Sequence, residues 1–195
     1  MGGLVLQSGA RRIEVSPCGE VVADTGCLLQ DLFLRTAQAG WAGFAFAVGI
    51  PGTLGGALVS NAGAYRSNVS EHLVALEIVF EAKRQWVDPS WMQFAYRDSI
   101  LRRDNPPPCA MLRARFQLPT GDPKAIFDDA REFQRQRISK QPPPASAGSF
   151  FKNVNDHQLA ESLPNLPDGM KRAGVVPAGY LIEAAGLKGL RGDGV

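Results

Sequence analysis

Along the first 23 residues the apolar side chains come in short bursts, Leu4-Val5-Leu6, Ile13-Glu14-Val15 and Val21-Val22-Ala23, separated by Gly9 and by Pro17 to Gly19. Brief apolar runs bounded by turn residues predict the strands of a small antiparallel meander. The spacing then changes: Leu28, Leu29, Leu32, Phe33 and Ala37 recur every three or four positions, and Gly40 stands where a helix stop belongs, so one helix should pack on the sheet. Leu73 to Phe80 reads as a strand. From Ala110 to Leu118 the residues Leu112, Ala114, Phe116 and Leu118 alternate with Arg113, Arg115 and Gln117, which predicts a strand with one buried and one wet face. Asp88-Pro89 opens a short helix. Asp122-Pro123 opens a longer one that buries Ile126, Ala130 and Phe133 and ends basic through Arg131, Arg135 and Arg137. A last helix runs from Pro177 to about Ala185, with Gly186 as its stop.

The run Pro142-Pro143-Pro144 cannot continue a helix and stiffens the chain into an extended form, so it marks a boundary between units 1–141 and 142–195. With 195 residues, 45% of them hydrophobic, there is enough chain for one good-sized domain or two small ones. The stretch Val48 to Tyr65, "VGIPGTLGGALVSNAGAY", is rich in small residues but interleaves Val48, Ile50, Leu54, Leu58 and Val59, which need burial. A disordered linker would be polar, so a tightly folded backbone with something lying against it is expected here.

Charge narrows the partners. With 21 basic and 19 acidic residues the net charge is +2, too balanced for a nucleic-acid binder by bulk electrostatics, so any anion site is local. Three cysteines, Cys18, Cys27 and Cys109, form no C-x-x-C pair, which disfavours a disulfide framework or a structural zinc and points to a reducing, cytoplasmic setting. Neither an export signal nor an apolar run of about 18 residues is present, so no membrane association is expected. "MGGLVLQ" has Leu6 where a myristoylation site wants Ser or Thr. "RGD" at Arg191 and the sequon at Asn68 are matches of the kind chance supplies.

Three stretches carry candidate chemistry. In "GIPGTLGG", Gly49 to Gly56, glycines would let backbone N–H groups approach a phosphate or a flat ring, although the pattern is neither Walker A nor G-x-G-x-x-G and also suits a plain structural loop. "YRDS", Tyr96 to Ser99, offers a guanidinium fork for a carboxylate or phosphate, or else a surface arginine paired with Asp98. Ser149 follows Gly148 as in a nucleophile elbow, but Phe151 occupies the place of the second glycine. The two histidines, His72 and His157, sit in no triad context and are expected on solvated surfaces, so hydrolysis is disfavoured.

Taken together and in order, "GIPGTLGGALVSNAGAY", "YRDSI", "SAGSFFKN" and "AGYLIEAAGLKGLR" resemble the UDP-N-acetylenolpyruvoylglucosamine reductase family over nearly the whole chain. The resemblance implies an α+β protein: part of an FAD-binding domain of the vanillyl-alcohol-oxidase/PCMH type over 1–141, and the N-terminal part of an α+β substrate-binding domain over 142–195. It implies FAD and NADPH as cofactors, UDP-N-acetylglucosamine enolpyruvate as substrate, and a cytoplasmic monomer in peptidoglycan precursor synthesis. By position, Gly52, Thr53, Gly55, Gly56, Asn61 and Gly63 would line the flavin. Tyr65, Lys140 and Asn153 would hold the substrate diphosphate. Arg97 would bind the enolpyruvyl carboxylate and Ser149 would be the general acid. That pairing makes chemical sense. Hydride addition to an enol ether conjugated with a carboxylate builds an enolate-like anion, which needs a cation beside it and then a proton on the adjacent carbon.

Against the family pattern, no glycine- and asparagine-containing pyrophosphate loop precedes Leu4, and no counterpart exists for the catalytic glutamate that members carry beyond the segment matching Lys188 to Arg191. The chain therefore reads as shortened at both ends and is expected to hold FAD weakly or not at all. A rival is a non-catalytic form that at most binds a nucleotide-sugar or a partner. Another FAD oxidoreductase of the same fold is a second rival. Smaller departures are Val154 after Asn153, Ala45 before the glycine loop, and the final "RGDGV".

Overall fold

The computed structural model describes residues 7–140 and 150–190, and divides into two compact units, Met1–Pro142 and Pro143–Val195. In the first, β1 (Ile13–Val15) and β2 (Glu20–Asp24) form the antiparallel pair that their apolar bursts predict, with Ile13 opposite Ala23. Leu4 to Leu6, the third predicted strand, lies outside the described residues. Helix α1 (Leu29–Gln38) buries Leu29, Leu32, Phe33, Thr36 and Ala37. Leu28 is not among them. It stands before the first turn in extended conformation and is 38% exposed, because the helical stripe begins one residue later. Gly40, at φ +78, follows the helix end as expected.

The glycine-rich stretch is more regular than the sequence suggests. A 3₁₀ turn, Ala45–Ala47, leads into a loop and then into helix α2 (Leu54–Ser60), which buries Leu54, Ala57 and Leu58. Glycine disfavours helix interiors by about 1 kcal/mol, which hides α2 from a propensity reading. Thr53 offsets that: its side chain accepts the Gly56 N–H at 3.3 Å and caps the first turn. A hairpin of β3 (Gly63–Ala64) and β4 (Ser67–Asn68) follows, with Tyr65 and Arg66 at its tip, both at positive φ (54 and 65).

Strand β5 (Leu73–Phe80) falls where its apolar run predicts. Its partner β6 (Lys83–Val87) was invisible in the sequence, since "KRQWV" is an exposed edge strand with almost no apolar face. Strand β7 (Cys109–Gln117) completes a five-stranded antiparallel sheet of order β1-β2-β7-β5-β6. Ala114, Phe116 and the following Leu118 are buried as predicted, while Leu112 is only half-buried. Helix α3 (Pro123–Lys140), whose first turn Asp122 caps by accepting the Ala125 N–H at 3.1 Å, buries Ile126 and Ala130 and half-buries Phe133. The core lies between the apolar face of the sheet and α1, α2 and α3.

The second unit is smaller. Strand β8 (Val154–Asn155) pairs antiparallel with β9 (Val175–Val176), and between them lie α4 (His157–Ser162) and α5 (Asp168–Ala173). Helix α6 (Ala178–Ala184) starts after Pro177, with Gly186 at φ +70 beyond its end, as read from the sequence. Ala160, Leu166 and Val176 form its core, joined by Leu159, Leu163, Tyr180 and Leu181. His157 is exposed as expected, whereas His72 is half-buried against Gly43: a Cβ there would lie 2.6 Å from the imidazole.

Candidate functional site

The glycine loop and the YRDS turn meet on one short helix. Leading into α2, the Gly52 carbonyl accepts the Leu29 N–H at 3.1 Å and the Gly55 N–H donates to the Thr25 carbonyl at 2.8 Å, so the loop is stitched to α1 and to the end of β2. Gly55 packs closely: a Cβ would stand 3.1 Å from the Thr25 carbonyl oxygen, which would have to give by a few tenths of an ångström. Gly52, at φ +123, faces open space, with nothing within 4 Å of where a Cβ would be, and Gly56 meets only the Thr53 hydroxyl at 3.7 Å. Two grooves flank the loop. One of about 280 Å³ is lined by Leu29, Ile50 to Thr53, Gly56, Ala57, Ser60 and Ala62; the other, about 340 Å³, includes Arg11, Thr25, Thr53 and Gly55. Thr53 belongs to both.

At the far end of α2, Asn61 adopts a left-handed conformation (φ 42) and is 9% exposed. Its Nδ2 donates to the Ala95 carbonyl at 3.0 Å, whereas its Oδ1 is buried with no partner among the described residues. A buried amide oxygen left unpaired costs about 1–3 kcal/mol, so it calls for a donor. An open glycine face beside a groove lined mostly by small side chains suits a flat ligand. Gly63 is needed by the backbone: a Cβ there would lie 2.5 Å from the Ser67 carbonyl oxygen.

Ala95 and Asp98 exchange backbone hydrogen bonds at 3.1 and 3.2 Å, closing a two-residue turn with Tyr96 and Arg97 at its tip. Arg97 has φ +55, and its guanidinium carbon lies 5.8 Å from the centre of the Tyr96 ring. The pairing with Asp98 considered from sequence does not form: Asp98 faces Arg103, at 3.9 Å, and Arg97 enters no ion pair among the described residues. Ser99, overlooked in the sequence, is fully buried and donates its hydroxyl to the Val59 carbonyl at 2.6 Å.

The three residues read as diphosphate ligands are placed differently. The Tyr65 ring stacks on Phe133 of α3, centroids 4.0 Å apart, and its hydroxyl donates to the Phe133 carbonyl at 2.7 Å, so this side chain also braces the hairpin against the helix. Lys140 is the last residue of α3, and its side chain is outside the described atoms. Asn153, in the second unit, accepts the Ala178 N–H on Oδ1 at 3.3 Å and so caps α6 from a distance. Ser149 lies outside the described residues. Among the described residues there is no cluster of three metal-ligating side chains, and no helix is long and apolar enough to cross a membrane.

Residues 1–87 match the family model described as an FAD binding domain. The chain is 37% identical over 190 residues to a UDP-N-acetylenolpyruvoylglucosamine reductase of Rubrobacter xylanophilus, an alignment covering 97% of this chain and 57% of that protein. It is 35% identical to the protein of the same name from Bacillus subtilis, over 96% of this chain and 56% of that one. The crystal structure of the Thermus caldophilus UDP-N-acetylenolpyruvylglucosamine reductase superposes with a TM-score of 0.68 at 31% identity, over 91% of this chain and 57% of that chain. The chain thus spans a little over half the length of these relatives.

Proposed function

We propose, from the premise that this chain belongs to the UDP-N-acetylenolpyruvoylglucosamine reductase family, that it provides the flavin cradle and the carboxylate-binding arginine of an NADPH-dependent reductase acting on UDP-N-acetylglucosamine enolpyruvate in the cytoplasm. The observation that carries the reading is the common seat of its two halves: the glycine loop opens α2, and the turn bearing Arg97 rests on the other end of the same helix. When bound, FAD supplies hydride transfer from NADPH to the outer carbon of the enolpyruvyl double bond.

This chain's residues do the rest. Thr53 caps the helix and fixes the loop, and the glycines of the loop with Asn61 would hold the flavin. Arg97 binds the enolpyruvyl carboxylate through its fork of donors and offsets the negative charge that spreads into it as hydride arrives. The carbon next to the carboxylate then takes a proton, which by family resemblance comes from the Ser149 hydroxyl. A hydroxyl is a weak acid, yet it suffices for a carbon that is strongly basic at that instant. The product is the lactyl ether, UDP-N-acetylmuramate. Tyr65, Lys140 and Asn153 are proposed to hold the diphosphate, Tyr65 on condition that its hydroxyl leaves the Phe133 carbonyl.

The test is a titration of FAD into the chain, read by quenching of flavin fluorescence, followed by addition of NADPH and substrate with product detected by mass spectrometry. Saturable quenching with product formed supports the full reading. Weak quenching is what the sequence leads one to expect; quenching without product would leave a binding portion only, and a titration that stays unquenched at high flavin concentration overturns the flavin cradle. Arg97→Lys keeps the charge but loses the fork, so it should retain quenching and lose most of the product.

A further inference from the structure

We infer that Ser99 and Asn61 are positioning residues for Arg97, two struts that pin its turn to the C-terminal end of α2. The inference rests on the reading of Arg97 given above and extends it to residues that do not touch the substrate. Arg97 needs such support. With φ +55 it occupies a backbone region that L side chains adopt only when their surroundings over-determine it. A turn closed by two backbone hydrogen bonds alone would relax by letting that residue flip.

The supports come from both sides of the turn. On the incoming side, the Ala95 carbonyl accepts Asn61 Nδ2 at 3.0 Å. On the outgoing side, Ser99 donates its hydroxyl to the Val59 carbonyl at 2.6 Å. Val59 and Asn61 both belong to the end of α2, where carbonyls lack an intrahelical partner, so Ser99 satisfies an orphan acceptor while anchoring the turn. Neither strut is a chance surface contact: Ser99 is 0% exposed and Asn61 is 9% exposed.

Two substitutions separate the struts from general folding. Ser99→Ala deletes one hydroxyl, and Asn61→Gly deletes the other strut while keeping a residue at ease with the left-handed conformation. In the 195-residue chain, NMR hydrogen exchange should show the Ala95 and Asp98 amides opening about tenfold faster in either variant, the scale of one lost hydrogen bond, with the sheet amides of Leu76 and Phe116 unchanged. The Arg97 Nε–H resonance, titrated with pyruvate as a carboxylate probe, should respond in the wild type and lose most of that response in both variants and in Arg97→Lys. Unchanged protection of Ala95 and Asp98 overturns the struts, as does faster exchange with an undiminished pyruvate response. A wild-type Arg97 signal indifferent to pyruvate, with exchange accelerated as expected, overturns the carboxylate reading of Arg97 and leaves the struts standing.

Discussion

Glu77 is a buried carboxylate in the middle of the sheet, and its replacement by glutamine tests how far its two arginines stabilise the first unit. It sits on β5, 5% exposed, opposite Arg113 of β7 and beside Arg84 of β6. Arg113 Nε lies 2.6 Å from Oε2, while Arg84 Nε lies 2.6 Å from Oε1 and its Nη2 3.1 Å from Oε2. Hydrogen bonds from Arg113 first and Arg84 second, opposed by burial, hold the carboxyl down from its ordinary 4.5 to about 2. At 1.36 kcal/mol per unit this is roughly 3 kcal/mol, and screening by water at the exposed arginines lowers it to about 2 kcal/mol. Because the folded pKa is depressed, the contribution is complete above the unfolded value of 4.5 and is lost as pH falls through about 2. Glu77→Gln keeps the shape and removes the charge. Urea denaturation followed by tryptophan fluorescence reads the first unit alone, since Trp41, Trp86 and Trp91 all lie in it. The variant should be about 2 kcal/mol less stable at pH 7, and the gap should close as pH falls from about 5 toward 2.5. A gap of constant size across that range would refute the reasoning, since it would make the loss one of packing.

Gly63→Ala forces a Cβ to within 2.5 Å of the Ser67 carbonyl oxygen and should cost about 1–3 kcal/mol, read as a lower melting temperature without any ligand; an unchanged melting temperature with weakened flavin binding would give Gly63 a ligand role alone. Tyr65→Phe keeps the stack on Phe133 but loses the 2.7 Å hydrogen bond, so melting should fall by about 3 °C, the equivalent of roughly 1 kcal/mol in a domain of this size. Should Tyr65→Phe melt like the wild type, the hydroxyl does not brace α3 and is free for a ligand.

What the sequence made legible follows from where burial leaves a period. Strands β1, β2, β5 and β7 and helices α1 and α3 each bury one face against the same core, so their apolar spacing declared them. Strand β6 buries almost nothing, and α2 carries two glycines in its first turn, of which Gly55 packs closely on Thr25, so pattern and propensity both missed them. The same physics divides the site. Its glycine loop was visible because the backbone there needs small residues, Gly49 and Gly52 for positive φ and Gly55 for its close approach to Thr25. Arg97 and Asn61 were visible as residue types but not in their backbone state, and the turn that carries Arg97 is tied to α2 by bonds between residues more than 30 positions apart in the chain, Asn61 with Ala95 and Ser99 with Val59. Ser99 illustrates the limit. In "YRDS" nothing marks it out, yet full burial and a 2.6 Å bond to the Val59 carbonyl at the end of α2 make it, with Asn61, a residue on which the arginine's placement leans. Motif residues that could contact a ligand were therefore easier to find than the buried residue holding one of them, because a strut leaves no chemical signature until the fold brings its acceptor into reach.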